Sequence, residues 1–153
     1  FQGATQATVV FRSRKLDYDY RNISEQKQIL KESLADGSWK IPQILDIMLK
    51  DDNTYFDEVC QIKMSNWSIN RIVLVGDAAF TAGFPTGMGT TLAIQGAATL
   101  AKCLNELNGD YDSAFSSYFQ SYKPFVDEIQ SKIIEGLDFT VPRTQEEIDK
   151  RHG

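Results

Sequence analysis

The stretch from Arg71 to Leu107 constrains the fold more than any other. Arg71-Ile72-Val73-Leu74-Val75 is a nearly unbroken apolar run that ends in Gly76-Asp77. That is the pattern of a strand buried on both faces, delivering its last residues to the edge of a sheet. A segment containing glycine and proline follows from Ala78 to Gly89. Thr90 to Leu107 then set Leu92, Ala93, Gly96, Ala97, Leu100 and Leu104 at helical spacing, with small residues that favour close packing against a neighbour.

Strand, turn and helix in this order have the logic of a ligand site. A carboxylate at Asp77 projects from the C-terminal edge of a strand, where ligands bind in sheets flanked by helices. When ionised it only accepts hydrogen bonds, which suits ligand hydroxyls, and Gly76 leaves room for close approach to the backbone. Pro85-Thr86-Gly87-Met88-Gly89 makes a rigid turn that opens directly into the helix. The helix N-terminus offers unpaired N–H groups and roughly half a unit of positive charge to an electron-rich or anionic group. Glycines at 87 and 89 let that backbone come close to a flat ligand. Taken singly, Asp77 is more readily a turn or cap acceptor, and the loop only a loop; their order and spacing together favour a site.

This segment, Gly76-Asp77-Ala78-Ala79 followed by Pro85 and by Gly87-Met88-Gly89 before an Ala-rich helix, resembles the second flavin-binding motif of class A FAD-dependent monooxygenases, the group of para-hydroxybenzoate hydroxylase and the tetracycline-inactivating monooxygenases. The resemblance is specific over about residues 72 to 104 and looser outside them. Phe80 stands where many members carry His or Tyr. The resemblance implies that Asp77 binds hydroxyls of the FAD ribityl chain and that Pro85 lies beside the isoalloxazine. It also implies that the amides around Gly87, Met88 and Gly89 face the flavin N1 and C2 carbonyl edge. In such enzymes NAD(P)H reduces FAD, oxygen forms a flavin C4a-hydroperoxide, and one oxygen atom passes to a small organic, often aromatic, substrate. The cofactor carries the hard chemistry, so no catalytic side chain and no metal ligand is assigned.

The rest of the chain reads more coarsely. Ala7 to Arg12 has the β-branched and aromatic content of a strand, running on to Tyr20 as a hairpin or sheet edge. Ser24 as N-cap, the stripe Ile29, Leu30, Leu34 and the stop Gly37 describe one short helix. Pro42 opens a second, ending at Asp51-Asp52-Asn53. From Phe56 the period changes to two, with Cys60, Ile62 and Met64 on an apolar side and Gln61, Lys63 and Ser65 on a wet one, before a turn at Ser68-Ile69-Asn70. Substrate-side positions on such strands include Arg12, Phe56 and Met64, each more simply read as sheet packing. Asp110 caps a last long helix whose apolar set runs from Phe115 to Ile133, with a kink or brief break at Pro124. Thr140 to Gly153, with the single His152, reads as a polar surface tail.

Length and charge bound the remaining choices. A chain of 153 residues with 42% hydrophobic composition can bury a core. Its net charge of −5 gives no reason to gather nucleic acid or an anionic membrane. Cys60 and Cys103 are isolated among apolar residues and read as reduced core thiols, which fits a cytoplasmic setting. Phe1 to Thr5 lack an initiator Met and look like a cut boundary.

The expected fold class is α+β: a C-terminal fragment of the para-hydroxybenzoate-hydroxylase-like fold with substrate-side strands in 1–70, the second FAD-binding motif in 71–107, and the C-terminal helix and tail in 108–153. The Gly-x-Gly-x-x-Gly dinucleotide fingerprint does not occur in the sequence, so the N-terminal dinucleotide-binding half is expected to be a missing partner of the same protein. A strand parted from its sheet could instead be covered by homo-oligomerisation. Two other readings stay open, another flavin oxidoreductase of the same fold and a non-catalytic ligand-binding module.

Overall fold

The computed structural model describes Gly3 and residues 6–152, without the His152 side chain. Phe1, Gln2, Ala4, Thr5 and Gly153 lie outside them, as do the readings of a cut N-terminus and of an exposed His152. The chain divides into two compact units, Phe1–Glu58 and Val59–Gly153.

In the first unit, α1 spans Ile23–Ser33 and α2 spans Ile41–Lys50. The N-cap of α1 is Asn22 rather than Ser24: the Asn22 Oδ1 accepts from the Glu25 N–H at 3.2 Å. The Glu25 carboxylate in turn accepts from the Asp19 N–H at 3.0 Å, which ties the first turn of the helix to the chain that leads into it. The helix stops at Ser33, short of Gly37. Pro42 sits in the first turn of α2 as expected, where its missing N–H has no intrahelical role. Ala7 to Arg12 forms no strand. β-branched content describes a side chain's fit to a pleated surface, but a ladder needs a second strand, and none lies beside it among the described residues. Phe56 packs instead on Phe11 and edge-on against Tyr18, with ring centroids 6.4 and 5.3 Å apart.

The second unit is mostly helical. Its sheet is one short antiparallel pair, β1 Ser68–Ile69 and β2 Ile72–Val73, with Ser68 opposite Val73 and Ile69 opposite Ile72. Hence, of the expected turn Ser68-Ile69-Asn70, Ser68-Ile69 is half of a ladder and Asn70 lies in the turn with Arg71, and the 71–75 run is not a strand buried on both faces, because Ile72 is exposed. The 56–65 segment forms no strand either. Gln61 points inward and is hydrogen-bonded, while Cys60, Ile62 and Met64 are exposed. Lys63 and Ser65, of the expected wet side, are exposed as well, so burial here does not alternate; without a second strand beside it among the described residues, the segment has no sheet face to bury. Cys60 is therefore no core thiol, whereas Cys103 is buried.

Helix α3 spans Asp77–Phe80, a 3-10 turn covers Phe84–Thr86, and α4 spans Gly89–Glu106. Asp110 caps α5, Tyr111–Ser131, accepting from the Ser113 N–H. Tyr122 meets Leu92, Tyr118 meets Gly96, and Ser117 meets Cys103, so α4 and α5 run antiparallel. Between them and the β1–β2 segment, Trp67, Phe80, Tyr118, Tyr122 and Val126 form the core. α5 continues through Pro124 without the break that was one of two expectations there, the other being a kink. Pro124 and Gln120 are both exposed, so water reaches the carbonyl that proline leaves without a donor. The break falls at Lys132, after which α6 spans Ile133–Thr140; α7, Gln145–His152, occupies most of the expected tail. None of the helices among the described residues is long and apolar enough to cross a membrane.

Candidate functional site

A cleft of about 740 Å³ opens where β2, α3, the 3-10 turn and α4 converge. Gly76, Asp77, Gly87 and Gly89 line it, together with Val75, Thr81, Gly83, Phe84, Thr90, Ala93 and Ile94. Pro85 and Met88, the other two residues the sequence singled out, stand behind this surface. Met88 packs against the core. Pro85 is backed by α6, where any side-chain carbon on Gly136 would overlap the Pro85 carbonyl.

Gly76 has φ +68°, a conformation that side chains with a Cβ rarely adopt, and serves as the N-cap of α3. The chain thereby turns sharply after β2 and presents Asp77 in the first turn of α3. Asp77 is exposed, and its carboxylate makes no hydrogen bond or ion pair to another described residue. The turn-or-cap explanation of this aspartate finds no acceptor bond here, and its lone pairs face the cleft.

On the opposite side, Gly87 adopts the left-handed φ of +65° that ends the 3-10 turn. A Cβ on Gly87 or on Gly89 would meet nothing within 4 Å, so both glycines keep the cleft wall flat. The amides here are not equivalent. The Gly87 N–H donates to the Phe84 carbonyl at 2.9 Å, and the Met88 N–H to the Thr86 hydroxyl at 3.3 Å. α4 begins at Gly89 with no side-chain cap. The N–H groups of its first turn, from Gly89 and Thr90 onward, have no intrahelical acceptor and carry the positive end of an 18-residue helix dipole. The helix end is thus the donor surface, and the Gly87 and Met88 amides brace it.

One wall accepts hydrogen bonds, the other donates them, and Phe84 and Ile94 add exposed apolar surface between. Such a cleft fits a flat, electron-rich ring system bearing a hydroxylated chain. The residues present therefore suit the flavin ring and ribityl chain that the motif implied. Sequence reading missed Thr81, Gly83, Phe84, Ala93 and Ile94. Phe84-Pro85 next to a glycine-bounded turn was the available signal for Phe84, and the i, i+4 spacing of Gly89 with Ala93 for the helix face.

No protein-family model matches the sequence. A flavin-dependent monooxygenase of Legionella longbeachae serogroup 1 (strain NSW150) is 40% identical over 125 residues, covering 82% of this chain and 32% of that protein. The FAD-dependent monooxygenase asL6 of Sarocladium schorii is 36% identical over 108 residues, covering 71% of this chain and 26% of that protein. Among solved structures, the tetracycline destructase Tet(55) superposes with a TM-score of 0.78 at 32% identity, over 93% of this chain and 38% of that one. The chain thus spans about a third of the length of the relatives it matches. Its sequence and its fold place it in the class A FAD-dependent monooxygenase family.

Proposed function

We propose that this cleft is the ring-side half of an FAD site in a monooxygenase that uses NAD(P)H and molecular oxygen to oxygenate a small organic molecule. The observation that carries the reading is the facing pair of an unpartnered, exposed Asp77 carboxylate and the uncapped N-terminus of α4, separated by glycines with open space before them. FAD, when bound, supplies the redox and oxygen-activating chemistry. Asp77 accepts the ribityl hydroxyls, and Gly76 permits their approach. The Gly89 and Thr90 amides hold the edge of the ring where electron density gathers, assisted by the helix dipole. Pro85 and Met88 hold the turn rigid from behind, and Gly87 and Gly89 keep the ring's path clear.

In this proposal the ADP half of the cofactor is bound by sequence beyond these 153 residues, as the greater length of the relatives allows. The similarity to tetracycline destructases makes tetracycline the first substrate to assay. The test is the visible spectrum of the full-length gene product beside its Asp77→Ala variant. Flavin bands in the parent, weakened in the variant, together with NAD(P)H-dependent oxygen uptake are the expected result. A folded, colourless parent would sink the reading in favour of a non-catalytic binding module. Bound flavin that reduces but inserts no oxygen would favour another oxidoreductase of the same fold.

A further inference from the structure

Between Asp77 and the Pro85 turn the chain runs through Phe80-Thr81-Ala82-Gly83, and Thr81 and Gly83 line the cleft. This segment has little regular structure to hold it, yet the carbonyls of Phe80, Thr81 and Ala82 are engaged from behind, while that of Gly83 accepts from the Thr86 N–H and hydroxyl in the following turn. Gln130, on the last turn of α5 and only 2% exposed, donates through Nε2 to the Ile62 carbonyl at 2.8 Å, to Thr81 at 3.1 Å and, at the edge of range, to Phe80 at 3.4 Å. Gln61 donates through its Nε2 to the Ala82 carbonyl and to the Gln130 backbone carbonyl, both at 2.9 Å. The Ile62 N–H adds a further bond to the Thr81 carbonyl at 3.1 Å.

A carboxamide has two N–H donors. Those of Gln61 are both used, and one of them reaches a carbonyl in the last turn of α5. Those of Gln130 are shared among three acceptors. Because the hydrogen-bond partners of both Nε2 groups are all carbonyls, only NH₂ can face that cluster. No peptide among the described residues is cis, and a trans peptide sets N–H opposite C=O. Drawing the Thr81 and Ala82 carbonyls toward the glutamines therefore turns the Ala82 and Gly83 N–H groups away from them.

We propose that Gln130 and Gln61 form a two-carboxamide clamp that sets the backbone of 80–83 against the bound flavin, which makes Gln130 a positioning residue for the cofactor. The inference rests on the flavin reading of the cleft. It is distinct from the general role of a buried glutamine, because both ends of the clamped segment carry cleft residues: Asp77 precedes it and Phe84 follows it.

The test measures the FAD dissociation constant and the visible circular dichroism of bound flavin in the full-length protein. Gln130→Met keeps shape and length but removes both donors. Gln61→Met does so at a half-buried position and stands in if Gln130→Met does not fold. Gln26→Met is the control, a buried glutamine of the other unit whose Nε2 donates to the Tyr20 carbonyl at 2.7 Å. The clamp predicts about tenfold or greater weakening of FAD binding in Gln130→Met, a smaller loss in Gln61→Met, and an altered flavin spectrum in both. Gln26→Met keeps parental affinity and spectrum. Parental flavin affinity and spectrum in the clamp variants would overturn the clamp and leave the flavin site standing, as would an equal loss in Gln26→Met. A parent that binds no FAD would overturn the flavin reading itself.

Discussion

The two compact units bury their apolar residues very differently. In Val59–Gly153, Trp67, Phe80, Tyr118 and Tyr122 are each at most 5% exposed, and the Trp67 ring lies 4.7 to 6.3 Å from the other three. Among the described residues of Phe1–Glu58 the buried side chains are Gln26 and Leu30, and α2 buries none of its residues fully, leaving Ile47 exposed. The difference teaches where the fold is self-sufficient. α4 and α5 bring their own partners and close a core around Trp67. α1 and α2 are amphipathic in sequence, but find less surface to bury against within their unit.

The two tryptophans give the sharpest way to break that comparison, since each unit has one. Trp67 is 2% exposed and at the centre of the aromatic cluster, while Trp39 is 81% exposed. Trp67→Ala removes a large buried ring and should cost about 3–5 kcal/mol of stability in urea unfolding followed by circular dichroism. Trp39→Ala should stay within about 0.5 kcal/mol. Equal losses in the two variants would show that Phe1–Glu58 is packed as tightly as Val59–Gly153.

Smaller in effect, and aimed at the cleft wall, is Gly136→Ala. Its Cβ would collide with the Pro85 backbone carbonyl, which is not the yielding end of a side chain, so α6 or the turn must shift. Overpacking of this kind costs about 1–3 kcal/mol. Under the flavin reading it also weakens FAD binding, while the Trp39→Ala control leaves binding unchanged. Wild-type thermal stability and flavin affinity in Gly136→Ala would show that α6 does not support the turn.

What could be read from sequence follows the range of the interactions involved. Helix α4 and the Asp110 cap of α5 rest on local spacing and capping, and both appear where the sequence put them, α4 to within a residue. The expected strands depended on partners that local sequence does not specify, and among the described residues only Ser68–Ile69 and Ile72–Val73 pair. Gly76, Asp77, Gly87 and Gly89 were visible because a turn and a helix start leave short signatures. The support behind them was not. Gln61 looked like the wet side of a strand, and its bond to Gln130 spans 69 residues. Likewise, nothing in Ile133-Ile134-Glu135-Gly136 announces contact with Pro85, because that contact depends on where α5 ends.

The smallest expected effect separates two tyrosines that look alike in sequence, one turn apart on α5. Tyr122 donates its hydroxyl to the Leu92 carbonyl in the first turn of α4 at 2.9 Å, whereas the fully buried Tyr118 hydroxyl has no partner among the described residues. Tyr122→Phe should therefore cost about 1 kcal/mol, and Tyr118→Phe should be neutral or stabilising by up to about 1 kcal/mol, since it relieves an unsatisfied polar group. Burial pushes both phenols above their ordinary value of 10.0, Tyr118 the further, with the neighbouring Tyr122 adding to it. The unfolded chain then loses these protons at lower pH than the native state does. The native preference for the neutral phenol costs nothing below pH 10, and stability falls as pH rises above it. Melting curves from pH 8 to about pH 11 should show the parent losing stability at the alkaline end and Tyr118→Phe losing less of it. Parallel decline of the two proteins would mean that the Tyr118 ring is open enough to ionise in the native state, and that the core around Trp67 is looser than its packing implies.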